Sequence, residues 1–209
     1  MHAELAGRTG GPSRPRRAGK AARIAAVAVV GGLGAALGVR AAAGGAPAPA
    51  ARSAGHLAAA APGGTLTLLD GRRVSLASLE GRPVLVWFVA AGCSSCEASI
   101  PAVAAQLAAF TRAGMRVLVL GMFGVFGPGP AGTAELARFG NAAAGKAFAS
   151  PAWTWGVASE RLTAAFDPSG IPDTYFLLDA AGHVTYQNSV PVSTMGALLA
   201  RLPARAAGG

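Results

Sequence analysis

Eight consecutive residues, Pro83-Val84-Leu85-Val86-Trp87-Phe88-Val89-Ala90, carry no charge and no polar side-chain group except the Trp87 indole. Turn residues bound the run, Gly81-Arg82 before it and Gly92-Cys93 after it. A short, uninterrupted apolar run of this kind predicts a strand buried on both faces, the pattern of a parallel sheet. Behind it, Ile100, Val103, Leu107 and Phe110 recur at three- and four-residue spacing, which predicts one helical stripe that also contains Cys96. Met115 to Leu120 is the next apolar strand. Strand, helix, strand in this order is a βαβ unit, so the chain is predicted to be an α/β protein.

The flanking segments add antiparallel elements. Thr65–Leu69, the Asp70-Gly71 turn and Arg72–Leu76 predict a β-hairpin, because glycine tolerates the positive φ that such a turn needs. Residues 121–132, with five glycines and two prolines, predict a mobile loop with no regular element. A short helix is predicted over Thr133–Ala144 with Thr133 as its cap, and another over Ser159–Phe166. Asp173–Asp179 and His183–Asn188 predict an antiparallel pair joined at Ala181-Gly182. Ser193 is expected to cap a last helix carrying Met195, Leu198, Leu199 and Leu202.

Cys93 and Cys96 are the only cysteines, separated by Ser94-Ser95 at the strand-to-helix junction. At the helix N-terminus, unpaired N–H groups and the helix dipole stabilise a thiolate on Cys93. Cys96 lies one turn further, on the face of Ile100. Cys93 is therefore expected to be the attacking nucleophile and Cys96 the resolving thiol, which breaks the mixed disulfide that Cys93 forms with a substrate. Zinc would need four ligands, and the three histidines, His2, His56 and His183, fall in the tail, the linker and a hairpin turn. No metal site and no cofactor beyond a redox-active Cys93–Cys96 disulfide are expected. A purely structural disulfide would close almost no loop and so stabilise little.

Charge divides the chain. Residues 1–52 carry a net +7, and residues 53–209 a net +2. Arg8, Arg14, Arg16, Arg17, Lys20 and Arg23 precede an uncharged run, Ile24–Val39, closed by Arg40. Basic residues before an apolar run are the pattern of a segment whose N-terminus stays in the cytoplasm. The run spans roughly 24 Å as a helix, so crossing the bilayer uses Ala41–Ala43 with Arg40 reaching to the interface. The expected organisation is a basic cytoplasmic tail at 1–23 and a transmembrane anchor or signal segment at 24–43. An Ala/Pro/Gly linker follows at 44–62, then a folded domain at 63–203 and a disordered tail at 204–209. Cleavage after Ala41-Ala42-Ala43 or Ala48-Pro49-Ala50 is the competing reading. Basic residues on the folded part are scattered, so no nucleic-acid partner is expected. A monomer is expected, because no coiled-coil pattern is present.

These features together resemble the thioredoxin superfamily, and more closely its membrane-anchored, extracytoplasmic thiol–disulfide oxidoreductases of the TlpA/ResA type. The resemblance rests on the hairpin, Gly81–Phe88, Cys93-x-x-Cys96, Pro101, and Gly170-Ile171-Pro172-Asp173-Thr174-Tyr175-Phe176-Leu177-Leu178-Asp179, and covers residues 65–202. It implies a thioredoxin-like fold with an N-terminal β-hairpin and a central mixed sheet flanked by helices. It also implies a cis Ile171–Pro172 bond facing the cysteines, with Gly92, Ile171 and Pro172 as substrate-binding residues. Three positions depart from the family pattern: Gly92 where Trp is usual, Trp87 where a buried Asp or Asn is usual, and Ser99 where Glu is frequent. No internal base for Cys96 is evident; Glu97 is nearest and is expected to face solvent. Trp153 and Trp155 are expected to pack in the core.

The implied activity is exchange of a dithiol for a disulfide with exported proteins, in the reducing direction, as in cytochrome c maturation. That role needs a membrane electron donor. The alternatives are a thiol oxidase for secreted proteins, which would need an electron acceptor, and a non-catalytic or copper-binding module on the same fold. A peroxiredoxin is disfavoured by Ala90 at the position of the threonine such sites use. A Sco-type copper carrier is disfavoured by the two-residue spacing and by His183 lying after its strand rather than before it.

Overall fold

The computed structural model describes residues 60–203. The anchor expected at 24–43, both tails and most of the linker lie outside the described residues. Among the described residues no helix is long and apolar enough to cross a membrane.

Seven strands form one mixed sheet: β1 (Thr65–Leu68), β2 (Arg73–Ser75), β3 (Val84–Val89), β4 (Arg116–Gly121), β5 (Trp153–Ala158), β6 (Thr174–Leu178) and β7 (Val184–Ser189). Their order is β2-β1-β5-β4-β3-β6-β7. The central β5-β4-β3 pairs are parallel, and the pairs outside them are antiparallel. The helices are α1 (Ser94–Ala104), α2 (Leu107–Arg112), α3 (Gly129–Ala144), α4 (Glu160–Phe166) and α5 (Pro191–Leu199).

The pleat sends alternate residues of β3 into two cores. Leu85, Trp87 and Val89 join Cys96 and Ile100 of α1, Phe110 of α2, Leu136 of α3 and Leu198 of α5. Val84, Val86 and Phe88 join Leu162 and Phe166 of α4 on the other face. Every residue of β3 is buried, as the apolar run predicts. The hairpin forms as expected, with Gly71 at φ 84° and the Asp70 carboxylate accepting from the Arg72 N–H.

Four expectations are corrected. The single helical stripe from Ile100 to Phe110 is two helices, because the backbone tightens at Gln106, whose N–H donates to the Val103 carbonyl three residues back. The third helix begins at Gly129 rather than at a Thr133 cap, so part of the predicted loop is helical. Pro130 fits its first turn, where no N–H is needed, and the Thr133 hydroxyl donates to the Pro130 carbonyl. The last helix starts at Pro191 for the same reason, with Val190 rather than Ser193 preceding it. Strand β5 was not predicted; it completes the parallel centre, and Trp153 and Trp155 are buried from it at a 5.1 Å T-shaped contact.

Candidate active site

The site lies where β3 ends. Ala91 and Gly92 turn the chain, with Gly92 at φ 73° and exposed, a conformation that favours glycine. Cys93 then stands at the N-cap of α1, in extended conformation. Its Sγ accepts from the Cys96 N–H at 3.2 Å, so the sulfur itself caps the helix. An atom that already receives a backbone N–H at a helix N-terminus is well placed to carry negative charge. Cys93 and Cys96 are disulfide-bonded, with Cα atoms 5.2 Å apart. Cys93 is partly exposed and packs at the margin of both cores, whereas Cys96 is fully buried beside Ile100 and Trp87. A reagent from solvent therefore meets Cys93 first. Glu97 is exposed, as expected.

The segment Gly170–Asp173 crosses to this end of the sheet. Ile171 is 57% exposed and Pro172 half-buried. The cis Ile171–Pro172 bond implied by the resemblance is not present: every described peptide bond is trans. Trans is the lower-energy isomer even before proline, and the entry into β6 is made instead by Asp173 at φ 68°. The Asp173 N–H donates to the Phe88 carbonyl at 2.8 Å, which pins the segment to β3.

Asp173 is the residue that sequence reasoning missed. It is 0% exposed. The Trp87 indole N–H donates to its Oδ1 at 2.9 Å, and the Ser99 hydroxyl donates to its Oδ2 at 3.1 Å. Ser99 Oγ in turn accepts from the Val192 N–H at 3.2 Å, tying α5 to the group. The Ser95 hydroxyl lies 3.4 Å from Cys93 Sγ. Burial pushes the Asp173 carboxyl above the usual carboxylate range; hydrogen bonds from Ser95, Trp87 and Ser99 offset part of that rise. Two of the three departures from the family pattern, Trp87 and Ser99, thus converge on one buried carboxylate. A findable trace existed: a fully buried tryptophan needs an acceptor for its N–H, and Asp173 opens an otherwise apolar strand.

The AhpC/TSA family matches residues 57–124, a stretch that holds the hairpin, β3, both cysteines and β4. No curated protein matches the chain. Among solved structures, a thiol:disulfide interchange protein from Bacteroides sp. superposes with TM-score 0.55 at 19% identity, covering 72% of this chain and 93% of that one. The fold is thioredoxin-like. The thioredoxin domain of a thiol-disulfide oxidoreductase from Bacteroides vulgatus aligns with TM-score 0.51 at 19% identity, over 68% of this chain and 97% of that one. A peroxiredoxin-like protein from Aquifex aeolicus reaches TM-score 0.52 at 17% identity, over 70% and 85%. Neighbours of different chemistry share this thioredoxin-like fold, so the reaction has to be argued from the site.

Proposed function

We propose that the chain is an extracytoplasmic thiol–disulfide oxidoreductase that exchanges a dithiol for a disulfide with exported proteins, acting as a reductant. The observation that carries this reading is the asymmetry of the pair: a helix-capping, partly exposed Cys93 bonded to a fully buried Cys96. In the reduced protein the Cys93 thiolate attacks a substrate disulfide and forms a mixed disulfide. Cys96 then attacks Cys93 Sγ, and the substrate leaves with both its sulfurs reduced. Gly92 directly precedes Cys93, Ile171 and Pro172 lead into β6 at the end of the sheet where β3 finishes, and all three are proposed to hold an extended substrate segment. The exposed Ile171 side chain supports that role. Residues 24–43 tether the domain to the membrane in this reading, and a membrane electron donor returns the pair to the dithiol.

The test is Cys93→Ser in the full chain. Loss of nearly all reduction of oxidised glutathione by the pre-reduced protein is expected. Activity that persists unchanged in this variant would overturn the reading.

A further inference from the structure

We propose that the end of the folded domain opposite the cysteines, built around Arg82, Arg112 and Arg116, is a contact surface for anionic lipid headgroups, and that it holds the domain with Cys93 turned away from the bilayer. The inference takes from the reading above only the tether, which supplies the bilayer. The three arginines are scattered in the sequence, and the sheet gathers them. Arg116 opens β4 and is the register partner of Val84, the first residue of β3. Arg82 precedes Val84 by two residues, and the Arg116 N–H donates to the intervening Pro83 carbonyl at 2.9 Å. Arg112 ends α2, and the turn at Gly114, φ 69°, leads from it into β4. All three are exposed, and none forms an ion pair among the described residues.

Two more cations belong to this end. Lys146 is exposed on the segment between α3 and β5, and Trp153, which opens β5, pairs with Val117 beside Arg116. Arg201 lies over the ring of Tyr186, whose register partner Leu177 is one residue short of this end of β6. Against these five cations stand two carboxylates. Asp179 lies 3.4 Å from His183, and the Glu80 carboxylate is turned to Gly182, where an added Cβ would meet Oε1 at 3.1 Å. At the cysteine end the exposed charges balance. Glu97 and Glu160 stand in the first turns of α1 and α4. Arg161 follows Glu160, and Arg73 is aligned through Thr67 and Val157 with Gly121, where β4 finishes. Positive charge is therefore segregated along the strand direction.

Two observations select a lipid surface as the occupant. The chain enters the described residues at this end: Ala60 bridges His183, and the Ala61 N–H donates to the Gly182 carbonyl at 2.8 Å. The segment proposed above to lead from the membrane thus joins the domain at the cationic end. The second observation is the chemistry of the cations. Guanidinium groups without carboxylate partners, carried on the ends of several elements, suit a plane of phosphates, because each can donate two parallel N–H bonds to one phosphate. Basic residues near an anionic membrane add their attractions, which fade within a Debye length of about 8 Å. The six residues of β3 span about 20 Å, so Cys93 at its far end stands clear of the headgroups and open to a soluble partner. The exposed apolar side chains Phe123, Val125, Ile171 and Val192 lie at the cysteine end and make it the rival membrane face.

The experiment places the full chain in nanodiscs of phosphatidylcholine, alone or mixed with phosphatidylglycerol, and labels it with an arginine-selective dicarbonyl. Peptide mass spectrometry reads the rate at each arginine. In the anionic discs Arg82, Arg112 and Arg116 are expected to label about fivefold more slowly than in phosphatidylcholine. Arg73, at the other end, should change little, and high salt should remove the difference. A variant carrying Arg82→Gln, Arg112→Gln and Arg116→Gln should reduce oxidised glutathione at the wild-type rate and lose the lipid-dependent protection of Lys146 against acylation. Equal labelling of the three arginines in the two lipids would overturn the inference. So would slower labelling of Arg73 with loss of Cys93 alkylation in the reduced protein, which would put the apolar end on the membrane. Protection by soluble polyglutamate but not by phosphatidylglycerol would assign the surface to an acidic protein and overturn it too. A chain that does not enter the discs would remove the tether; labelling with preformed vesicles of the same two compositions then decides, equal rates again overturning the inference. The Cys93→Ser result bears on none of these outcomes, so the exchange reading stands or falls separately.

Discussion

Asp173 binds its proton more tightly in the folded chain than in the unfolded one, because burial disfavours the charged form. The sign for stability follows. Below about pH 3.9, the ordinary aspartate value, both states hold the proton and the group is neutral to folding. Above that value the unfolded chain releases its proton first, so stability falls as pH rises through the raised folded pKa, and the full penalty remains beyond it. Asp70 and Asp179 act in the opposite sense. Hydrogen bonds from Arg72 and from the His183 backbone N–H hold their carboxyls low. Both are solvent-exposed, so screening keeps their share small. Urea denaturation of the oxidised protein is therefore expected to show a pH slope in the wild type that flattens in Asp173→Asn. An identical slope in the two would show that the buried carboxylate does not titrate. The placement of the cysteines at the start of α1 was legible from sequence alone, since a strand end and a helix start can be read from periodicity. The carboxylate was not, because Trp87 and Asp173 are 86 residues apart and only the fold brings them together.

At the scale of elements, legibility followed burial. β3 was readable because a strand covered on both faces has no polar residue to interrupt it. β5 was not: Thr154 and Gly156 break its pattern, and it is a strand because β4 and β1 pair with it on either side. Gly156 shows how close that pairing is. A Cβ there would stand 2.8 Å from the Thr67 carbonyl oxygen and 3.1 Å from the Leu66 side chain. Gly156→Ala is expected to destabilise the protein by about 1–3 kcal/mol, the usual range for overpacking, read as a lower urea midpoint at unchanged m-value. The helix starts at Gly129 and Pro191 escape a sequence reading for one reason: proline is a loop signal, yet here it occupies a first turn.

For the whole molecule, the sheet joins the parts of the site that sequence separates. β3 leads into the cysteines, Asp173 immediately precedes β6, and the two strands are antiparallel neighbours. A pair whose first sulfur caps a helix should be readily exchanged, and as a reductant its reduction potential is expected near the thioredoxin value of about −270 mV in glutathione and dithiothreitol buffers. A potential near about −120 mV would instead make the protein an oxidant, with an electron acceptor in place of the donor. The measurement that bears most directly on the assignment is covalent trapping in Cys96→Ser. With the resolving thiol removed, Cys93 is expected to accumulate a stable mixed disulfide with oxidised glutathione, detected as a single adduct by intact-mass measurement. No adduct in that variant, or an equally rapid one through Cys96 in Cys93→Ser, would contradict the division of labour between the two sulfurs.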